Sequence, residues 1–474
     1  MKLDITAEEK ALFEVVRDVA DQMQQEVYAV GGFVRDRILG YQSKDIDFVT
    51  VGDGTALAEK VCTALGNDAH SLSVYKNFGT AMFRYKDLEL EFVGARKESY
   101  QQHSRKPDVE EGTLYDDQLR RDFTINTLAL KLQGDDAYTV IDPFDGAGDI
   151  ELKRIVTPLD PVQTFSDDPL RIMRAIRFAS ELSFTIDTVT FAAITSMGDR
   201  LEIVSMERIT TELNKIILSN VPSVGFNLMD RAGILQRIFP EMTALKGVDQ
   251  IEGYGHKDNF YHTLQVLDNI SVTTDYLWLR WAAILHDIAK PLTKRFEVGH
   301  GWTFHGHEGL GASMVPRIFR RMKLPMDEKM KYVQKLVRLH LRPIALIQEE
   351  ITDAAVRRLL YDAGDNLEDL MTLCKADITS KNPERVSRYL GNYGIVMERL
   401  KDVEEQDHIR NWQPPIDGQI IMATFGIKPG REVGIIKTAI REAILEGELA
   451  NDFQEAFSFM LAEGKRLGLT PVNS

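Results

Sequence analysis

Two aspartates stand two residues apart in the apolar segment DIDFVTV, residues 45–51. Alternate side chains of a β-strand point to the same face, so Asp45 and Asp47 would project together while Ile46 and Phe48 face the core. Adjacent carboxylates repel unless a cation lies between them. Mg²⁺ often shares its ligands with substrate phosphates, and paired metal ions can activate an attacking oxygen and stabilise a leaving pyrophosphate. The pair predicts a catalytic Mg²⁺ site, although the same pattern also occurs on ordinary exposed strands.

A glycine pair precedes this segment in the sequence GGFVRD, which begins at Gly31. Gly31 and Gly32 would let the backbone approach a phosphate, and the start of the following helix would offer unpaired N–H groups. Arg35, in the first turn, is a candidate to hold a triphosphate. A third acid for the metal site is expected in LELEFVGAR, where Glu89 and Glu91 share one strand face, and we choose Glu91.

Two further motifs carry arginine beside aspartate. RRDFTIN, residues 120–126, offers guanidinium groups for phosphate or ribose oxygens. In DDPLR, Pro169 suits the first turn of a helix, which would put Asp168 and Arg171 at positions i and i+3 on one face. A carboxylate accepts from an exocyclic amino group, and a guanidinium donates to a ring nitrogen or carbonyl. Such a pair could therefore accept a base that has an amino group beside an acceptor nitrogen, as in cytosine and adenine, and reject one with a carbonyl in that place, while the alternative is an intrahelical salt bridge.

The elements that position these residues change character along the chain. Residues 5–24 predict a helix, and EVYAVGG, DIDFVTV, TAMFRYK and LELEFVG predict strands. From about residue 155 the apolar positions follow helical spacing. The sequence thus predicts an α/β unit followed by mostly helical domains.

Composition narrows the class of protein. The 474 residues, 44% hydrophobic and 27% charged, predict three or four globular domains without a transmembrane helix or a signal peptide. Cys62 and Cys374 exclude a disulfide framework and suit a reducing cytosol, so we expect a cytoplasmic protein. The net charge of −15 argues against general nucleic-acid binding, but residues 317–342 hold nine Lys/Arg against two Asp/Glu. That segment is either an RNA-facing surface or an ordinary solvated helix pair.

The motif order resembles the nucleotidyltransferases of the polymerase-β superfamily, specifically the bacterial tRNA nucleotidyltransferase/poly(A) polymerase group. The resemblance rests on GGFVRDRILG…KDIDFV, RRDFTIN, DDPLRIMRAIRF and SMERITTELNKII, within the first 240 residues or so. It departs at Asp167, where the family usually has Glu. It implies catalytic roles for Asp45, Asp47 and Glu91, and nucleotide-binding roles for Gly31, Gly32, Arg35, Arg121, Asp122, Asp168, Arg171, Arg174, Arg177 and Arg208. A loop between residues 96 and 120 resembles the one that the family associates with the switch from C to A addition.

A second constellation lies further along, where six of the ten histidines fall between residues 256 and 307. The pattern HTLQV, LHDIAKP, HGHEGLGA, LHLRP and KADIT resembles an HD domain. The resemblance implies metal ligation by His262, His286, Asp287 and Asp377, with His307 and His340 completing a second site. Imidazole and carboxylate suit Mn²⁺, Fe²⁺, Ni²⁺ or Zn²⁺, and such a site could hydrolyse phosphoesters. The alternatives are a metal-free RNA-binding scaffold and metal binding without turnover.

The resulting expectation is an α+β, polymerase-β-like nucleotidyltransferase head followed by all-α domains that include an HD domain. The predicted boundaries are 1–154 for the head, 155–245 for a helical nucleobase-reading neck, 246–390 for the HD domain and 391–474 for a tail that contacts tRNA. The predicted activity is template-independent addition of CCA to tRNA from CTP and ATP, with no membrane and no stable protein partner. The alternatives are an A-adding enzyme, a poly(A) polymerase and an HD phosphohydrolase, and the acidic net charge disfavours the poly(A) polymerase.

Overall fold

The structure is a computed structural model, which describes residues 1–75, 79–99, 108–251, 254–255, 257–348, 352–380, 382–407 and 412–472. The chain divides into two compact units, Met1–Pro240 and Glu241–Ser474. Among the described residues, no helix is both long and apolar enough to cross a membrane.

The first unit begins with strands that alternate with short helices. Its strands are β1 (Glu26–Val30), β2 (Asp45–Val51), β3 (Ala69–Tyr75), β4 (Thr80–Tyr85), β5 (Leu88–Gly94), β6 (Arg96–Ser99), β7 (Asp108–Glu111), β8 (Ala129–Lys131), β9 (Val140–Ile141), β10 (Arg154–Ile155) and β11 (Thr185–Ile186). Seven of them form a mixed sheet in the order β3-β4-β5-β2-β1-β8-β9, in which β2 and β5 are parallel and the other neighbours antiparallel. This arrangement confirms the predicted α+β head.

The helices of the first unit are short at first and become longer after residue 160. They are α1 (Ala7–Gln22), α2 (Gly32–Ile38), α3 (Gly54–Leu65), α4 (Leu114–Leu119), α5 (Gly146–Glu151), α6 (Pro161–Asp167), α7 (Leu170–Leu182), α8 (Thr188–Met197), α9 (Met206–Leu218), α10 (Pro222–Arg231) and α11 (Ile234–Ile238). Short 3₁₀ turns lie at Gly66–Asp68, Thr124–Asn126 and Gly198–Ile203.

An aromatic cluster fixes one face of the sheet. Phe13 of α1 meets Phe48 of β2 edge to face, with ring centroids 5.9 Å apart. Phe48 stacks on Phe92 of β5 at 4.7 Å. Because side chains alternate along a strand, the burial of Ile46 and Phe48 on this face turns Asp45 and Asp47 to the other, as predicted. The strand core therefore determines which way the two carboxylates point.

The helices α7, α9 and α10 pack together beyond the sheet. Helix α7 begins after Pro169, whose missing N–H is tolerated at a helix start. Asp168 lies in extended backbone between α6 and α7, with φ −135° and ψ 100°, because a residue that precedes proline is disfavoured in the helical region. The prediction that Asp168 and Arg171 share one helix was therefore wrong: only Arg171 is in α7, and Asp168 lies just before it.

The second unit is mostly helical, as predicted. Its helices, the first of which starts at the boundary, are α12 (Pro240–Thr243), α13 (Asn259–Ser271), α14 (Leu277–Leu285), α15 (Lys290–Thr293), α16 (His307–Arg321), α17 (Glu328–Leu339), α18 (Leu341–Gln348), α19 (Asp353–Ala363), α20 (Leu367–Ala376), α21 (Pro383–Asp407), α22 (Gly418–Phe425), α23 (Arg431–Glu446) and α24 (Phe453–Arg466). Two small hairpins are formed by β12 (Gln250–Ile251) with β13 (Tyr254–Gly255) and by β14 (Arg295–Glu297) with β15 (Gly301–Thr303), and a 3₁₀ turn lies at Gly364–Asn366.

Candidate functional site

The predicted carboxylates are brought together by the parallel pairing of β2 and β5. Asp45 lies opposite Glu89 and Asp47 opposite Glu91, so all four side chains share one face of the sheet. Burial raises the pKa of Asp47, and Asp45 and Asp117 raise it further, while Arg121 opposes them. Burial and the neighbouring Asp47 also raise the pKa of Glu91. Because Asp47 and Glu91 are partly buried and lie beside other carboxylates, this arrangement favours a bound cation.

The glycine pair lies at the turn from β1 into α2. Gly31 has φ +69°, a conformation that glycine adopts without strain, and its N–H donates to the Leu128 carbonyl at 3.0 Å. A Cβ at Gly31 would lie 2.9 Å from Nη1 of Arg121, so the glycine also makes room for that guanidinium. One turn on, Arg35 is buried, and its Nη1 donates to Oδ1 of Asn126 at 2.8 Å. This turn therefore positions two of the predicted arginines.

A buried carboxylate that we did not single out holds the arginines of RRDFTIN. Asp117 accepts from Nε of Arg120 at 3.0 Å and from Nε and Nη2 of Arg121 at 3.0 and 2.9 Å. Burial alone would raise the pKa of Asp117, but Arg121 and Arg120 lower it below its usual value. Asp117 thus stays charged and fixes both guanidinium groups. The i, i+4 spacing of Asp117 and Arg121 was the available sequence signal.

Asp122 connects the sheet region to helix α7. Its Oδ1 accepts from Asn126 Nδ2 at 3.0 Å, and its Oδ2 accepts from Arg174 Nε at 2.7 Å. Burial alone would raise the pKa of Asp122, but Arg174, Asn126 and Arg171 lower it to about 2. Asp122 is therefore charged and holds Arg174 in place. Its carboxylate is buried and hydrogen-bonded to other side chains rather than exposed to solvent.

The predicted base-reading residues, Asp168 and Arg171, lie just before and just after the start of α7. Oδ1 of Asp168 accepts from the Leu170 backbone N–H at 3.1 Å, and its Oδ2 lies 3.8 Å from Nη2 of Arg208. Arg171 donates from Nη2 to the Arg120 carbonyl at 2.6 Å. Arg208, which comes from α9, thus lies close to the Asp168 carboxylate.

A single cavity of about 820 Å³ collects the predicted head residues. Nine basic and eight acidic side chains line it, so the cavity lacks the acidic excess of the whole chain. Its lining also includes Phe178, Glu212 and Lys215, which we did not predict. All thirteen predicted residues line it: Gly31, Gly32, Arg35, Asp45, Asp47, Glu91, Arg121, Asp122, Asp168, Arg171, Arg174, Arg177 and Arg208.

A second cluster, in the second unit, contains the residues of the HD pattern. Nε2 of His262 lies 2.9 Å from Oδ1 of Asp377 and 3.5 Å from Oδ2 of Asp287. Nε2 of His286 lies 3.2 Å from the same Asp287 oxygen. On the other side, His307 Nε2 lies 3.2 Å from Asp287 Oδ1. Asp287 therefore stands between two groups of histidines.

Each of the buried histidines has its ring orientation fixed by a backbone carbonyl. Nδ1 of His286, His307 and His340 each lies 2.7 Å from the carbonyl oxygen three residues earlier. A carbonyl only accepts, so Nδ1 carries a proton in each ring, and Nε2 presents a lone pair to a metal whenever the ring is neutral. Burial lowers the pKa of His340 to about 4, which keeps that ring neutral. The histidines are thus prepared as metal ligands.

Two observations support a cation at this cluster. Nε2 atoms of His307 and His340 face each other at 3.3 Å, and the buried Nε2 of His286 faces the carboxylate oxygens of Asp287 and Asp377 at 3.2 and 3.7 Å. Two triads have ligand atoms within 4.8 Å of one another: His262, His286 and Asp287, and Asp287, His307 and His340. These acidic and histidine groups can hold metal ions. Lys290, whose Nζ lies 2.6 Å from Asp287 Oδ2, is a neighbour that we did not predict.

The carboxylates of the head are spaced more widely. Where residues are described, both three-ligand groups within 4.8 Å belong to the second unit, so Asp45, Asp47 and Glu91 do not form such a triad. Mg²⁺ does not require such a triad, because it usually takes only one or two carboxylates and completes its shell with phosphates and water.

Some predicted features lie elsewhere. His305 is exposed beside Glu297, and His300 is exposed, so neither belongs to the ligand cluster. His256 and residues 100–107 of the predicted loop lie outside the described residues. In the basic segment, Arg317, Arg320 and Arg338 are exposed, as both of its interpretations require.

Three family models match the chain in order. "Poly A polymerase head domain" matches residues 27–156, "Probable RNA and SrmB- binding site of polymerase A" matches 183–246, and "HD domain" matches 259–381. Their order agrees with a catalytic head followed by helical parts.

Curated relatives match nearly the whole chain. The A-adding tRNA nucleotidyltransferase of Deinococcus radiodurans is 32% identical, over 91% of this chain and 94% of the relative. The CC-adding tRNA nucleotidyltransferase of Thermus thermophilus is 29% identical, over 92% of this chain and 93% of the relative.

A solved structure shares the fold. The Bacillus stearothermophilus CCA-adding enzyme in complex with CTP aligns with a TM-score of 0.66 and 20% identity, covering 98% of this chain and 99% of that one. Together, the head model and the 32% identity to a full-length relative show that the chain belongs to the tRNA nucleotidyltransferase/poly(A) polymerase family of enzymes.

Proposed function

We propose that this protein completes the 3′-CCA end of tRNA from CTP and ATP without a nucleic-acid template. The observation that carries the proposal is the single cavity that holds both the Asp45/Asp47 pair and the Asp168/Arg171 pair. The first pair suits transfer of a nucleotidyl group, and the second suits recognition of a base that has an amino group beside an acceptor nitrogen. Their coexistence in one cavity supports an enzyme that chooses its nucleotide with its own side chains.

The carboxylates Asp45, Asp47 and Glu91 are proposed to hold Mg²⁺. The fit is supported by the raised pKa values of Asp47 and Glu91. Burial and neighbouring carboxylates disfavour the charged form of each side chain, and a bound cation would offset that effect. When bound, Mg²⁺ would supply charge neutralisation for the attacking hydroxyl and the departing pyrophosphate.

The arginines are proposed to bind the rest of the nucleotide. Arg35 and Arg121, whose guanidinium groups lie close to Gly32 and Gly31, would hold the triphosphate, since planar guanidinium groups make bidentate contacts to phosphate. Asp122, with Arg174 and Arg177, would support the ribose and the base-reading helix. Arg208 would keep Asp168 aimed at the base, because the two lie 3.8 Å apart in the free protein.

Replacing Gly31 with alanine is expected to weaken CTP and ATP binding about tenfold, because the new Cβ displaces Arg121 from the triphosphate. The matched control is Gly40→Ala, since Gly40 also has a positive φ, +78°, but a Cβ there meets nothing within 4 Å. Both variants should have a lower free energy of unfolding because φ is positive at both glycines, and the loss should be larger at Gly31, whose ψ of −129° lies outside the left-handed helical region that other residues tolerate. Urea melts would measure that loss, and equilibrium dialysis the nucleotide affinity. Equal nucleotide affinity in the two variants would refute the role given to Arg121.

The activity itself can be tested with three tRNA transcripts, ending before CCA, after C and after CC, each given one labelled nucleotide and Mg²⁺. CTP on the first two and ATP on the third would support full CCA addition. A narrower function, A addition, is favoured by the name of the 32% identical relative, and extension of only the CC-ended transcript would establish it. Addition that stops at CC would assign the activity named for the Thermus relative, and long A tails would indicate a poly(A) polymerase.

We propose a head at 1–154, a base-reading neck at 155–245, an HD domain at 246–390 and a tRNA-contacting tail at 391–474. The two cysteines, both free, support a cytoplasmic location.

A second function is proposed for the HD cluster, on the observation that two ligand triads share Asp287. His262, His286, Asp287 and Asp377 would hold one transition-metal ion, and His307 and His340 would complete a second position. Ni²⁺, Mn²⁺ and Zn²⁺ all suit imidazole with carboxylate, and such an ion supplies activated water for phosphoester hydrolysis. The fit is supported by the buried Nε2 of His286, which lies 3.2 Å from Oδ2 of Asp287 and 3.7 Å from Oδ1 of Asp377, beside the oxygens that would share the ion.

Replacing His286 with alanine is expected to weaken metal binding about a hundredfold, because it removes a ligand whose ring is fixed by a backbone carbonyl. Mn²⁺ or Ni²⁺ at about 100 times its wild-type Kd should stabilise the wild-type protein by about 2.7 kcal/mol and the variant by only about 0.4 kcal/mol. Calorimetric titration and thermal shift would measure both effects, and bis(p-nitrophenyl) phosphate would report hydrolysis. His305→Ala, at an exposed histidine outside the cluster, is the control and should behave as wild type. Unchanged metal binding in His286→Ala would contradict the assignment.

A further inference from the structure

One buried phenylalanine ring lies close to three of the cavity arginines. The guanidinium carbons of Arg35, Arg174 and Arg177 lie 5.1, 5.5 and 4.2 Å from the centroid of Phe178. All three distances are within the range of about 6 Å at which a cation is attracted to an aromatic ring. Arg35 comes from α2, whereas the other two and Phe178 itself come from α7. The ring therefore links an arginine of the triphosphate side to those of the base-reading helix.

The three arginines have different carboxylate partners. Arg35 pairs with Asp36 at 2.7 Å, Arg174 with Asp122 at 2.6 Å and Arg177 with Glu212 at 2.8 Å. These ion pairs orient each guanidinium separately. The ring of Phe178 is a contact common to all three, so it is suited to set their positions relative to one another.

The ring is itself held in a fixed orientation. Phe178 is only 5% exposed, and it meets the fully buried Phe123 edge to face, at 5.9 Å between centroids and 84° between planes. Phe123 follows Asp122 in RRDFTIN, the segment that anchors Arg174. An aliphatic side chain of similar volume would fill this space but would offer no electron-rich face to the three cations.

We propose that Phe178 is a positioning residue for nucleotide addition, whose ring fixes Arg35 relative to Arg174 and Arg177 through shared cation–π contacts. The inference rests on the proposed function. Because Arg35 is assigned to the triphosphate rather than to the base, loss of the ring should affect CTP and ATP alike. It should act mainly on KM, since these arginines bind the nucleotide before and during the reaction.

The first test compares Phe178→Leu with Phe226→Leu. Phe226, in α10, is fully buried and, among the described residues, is not part of the cavity lining, so it matches the change in volume. Phe178→Leu should raise KM for both nucleotides about tenfold, while Phe226→Leu leaves KM unchanged. Urea melts of the two variants would show whether the loss of packing is comparable.

The second test replaces Phe178 with phenylalanines that carry one, two or three ring fluorines, which weaken the electron-rich face while barely changing its volume. A stepwise rise of log KM with fluorine number is expected, and a merely structural ring would give a flat series. A flat series with an active wild-type protein would overturn this inference alone. A wild-type protein that incorporates no nucleotide would overturn the proposed function, and this inference with it.

Discussion

Substitution of Asp47 by asparagine is expected to slow nucleotide incorporation about a thousandfold, the scale on which one preorganised electrostatic group acts in such sites. Asp47 lies on β2 directly opposite Glu91 of β5, on the face turned away from the aromatic core. Asparagine keeps the shape of the side chain but removes the charge that a divalent cation requires. The fold should be unaffected, because the buried neighbours Ile46 and Phe48 remain in place.

The matched control for this prediction is Asp53→Asn, at a residue that lies just after the end of β2. Asp53 caps α3 by accepting from the backbone N–H groups of Thr55 and Ala56, and asparagine caps helices about as well. Single-turnover incorporation of labelled CTP into tRNA, over a range of Mg²⁺ concentrations, would compare the two variants. Asp53→Asn should retain the wild-type rate. If Asp47→Asn kept more than about a tenth of that rate, Asp47 would not be a catalytic carboxylate.

Substitution of Asp168 by alanine is expected to abolish most of the discrimination against UTP and GTP. A site built to hydrogen-bond a substrate group can reject an analogue by about 10⁴-fold, and removal of the acceptor should lower that ratio to about 10- to 100-fold. The side chain lies at the junction of α6 and α7, where Arg208 approaches it at 3.8 Å. Alanine removes the acceptor for the amino group of cytosine and adenine, so CTP and ATP should also bind less well.

Asp167→Ala is the control for this prediction, because it changes the adjacent acid. Asp167 accepts a hydrogen bond from Gln163 Nε2 at 2.6 Å, and within the described residues it is not part of the cavity lining. Ratios of kcat/KM for the four nucleotides on a CC-ended transcript would measure discrimination. Asp167→Ala should keep the wild-type ratios, and it also tests whether the departure from the family's usual Glu matters. Preserved discrimination in Asp168→Ala would refute the base-reading role.

Strands β4 and β5 were predictable because buried side chains alternate with less buried ones along them, whereas β1 was predictable as a short, continuous apolar run. TAMFRYK, for example, became β4 (Thr80–Tyr85), and LELEFVG became β5 (Leu88–Gly94). The break between α6 and α7 was not predicted correctly. Pro169 was recognised as a helix start, but the same proline excludes Asp168 from helical backbone, which the spacing argument ignored.

The cavity residues could be predicted where a short motif by itself indicates a chemical role, as the adjacent carboxylates of Asp45 and Asp47 do. Asp117 and Phe178 were missed for different reasons. In the sequence, Asp117 looks like one more acidic residue of a polar helix. Its importance is clear from the structure, where it is buried against Arg120 and Arg121. Phe178 reads as an ordinary core aromatic, because one of the guanidinium groups around it belongs to Arg35, far away in the sequence. Contacts between distant segments are not encoded in local spacing.

The most direct test of the central claim is to incubate the protein and Mg²⁺ with a tRNA transcript that ends before CCA and with all four nucleotides at equal concentration, and then to sequence the 3′ ends. Template-independent selection by side chains predicts products to which C, CC or CCA has been added. No U or G should be added, and no product should extend beyond the final A. Random incorporation, long A tails or unextended transcripts would contradict the account.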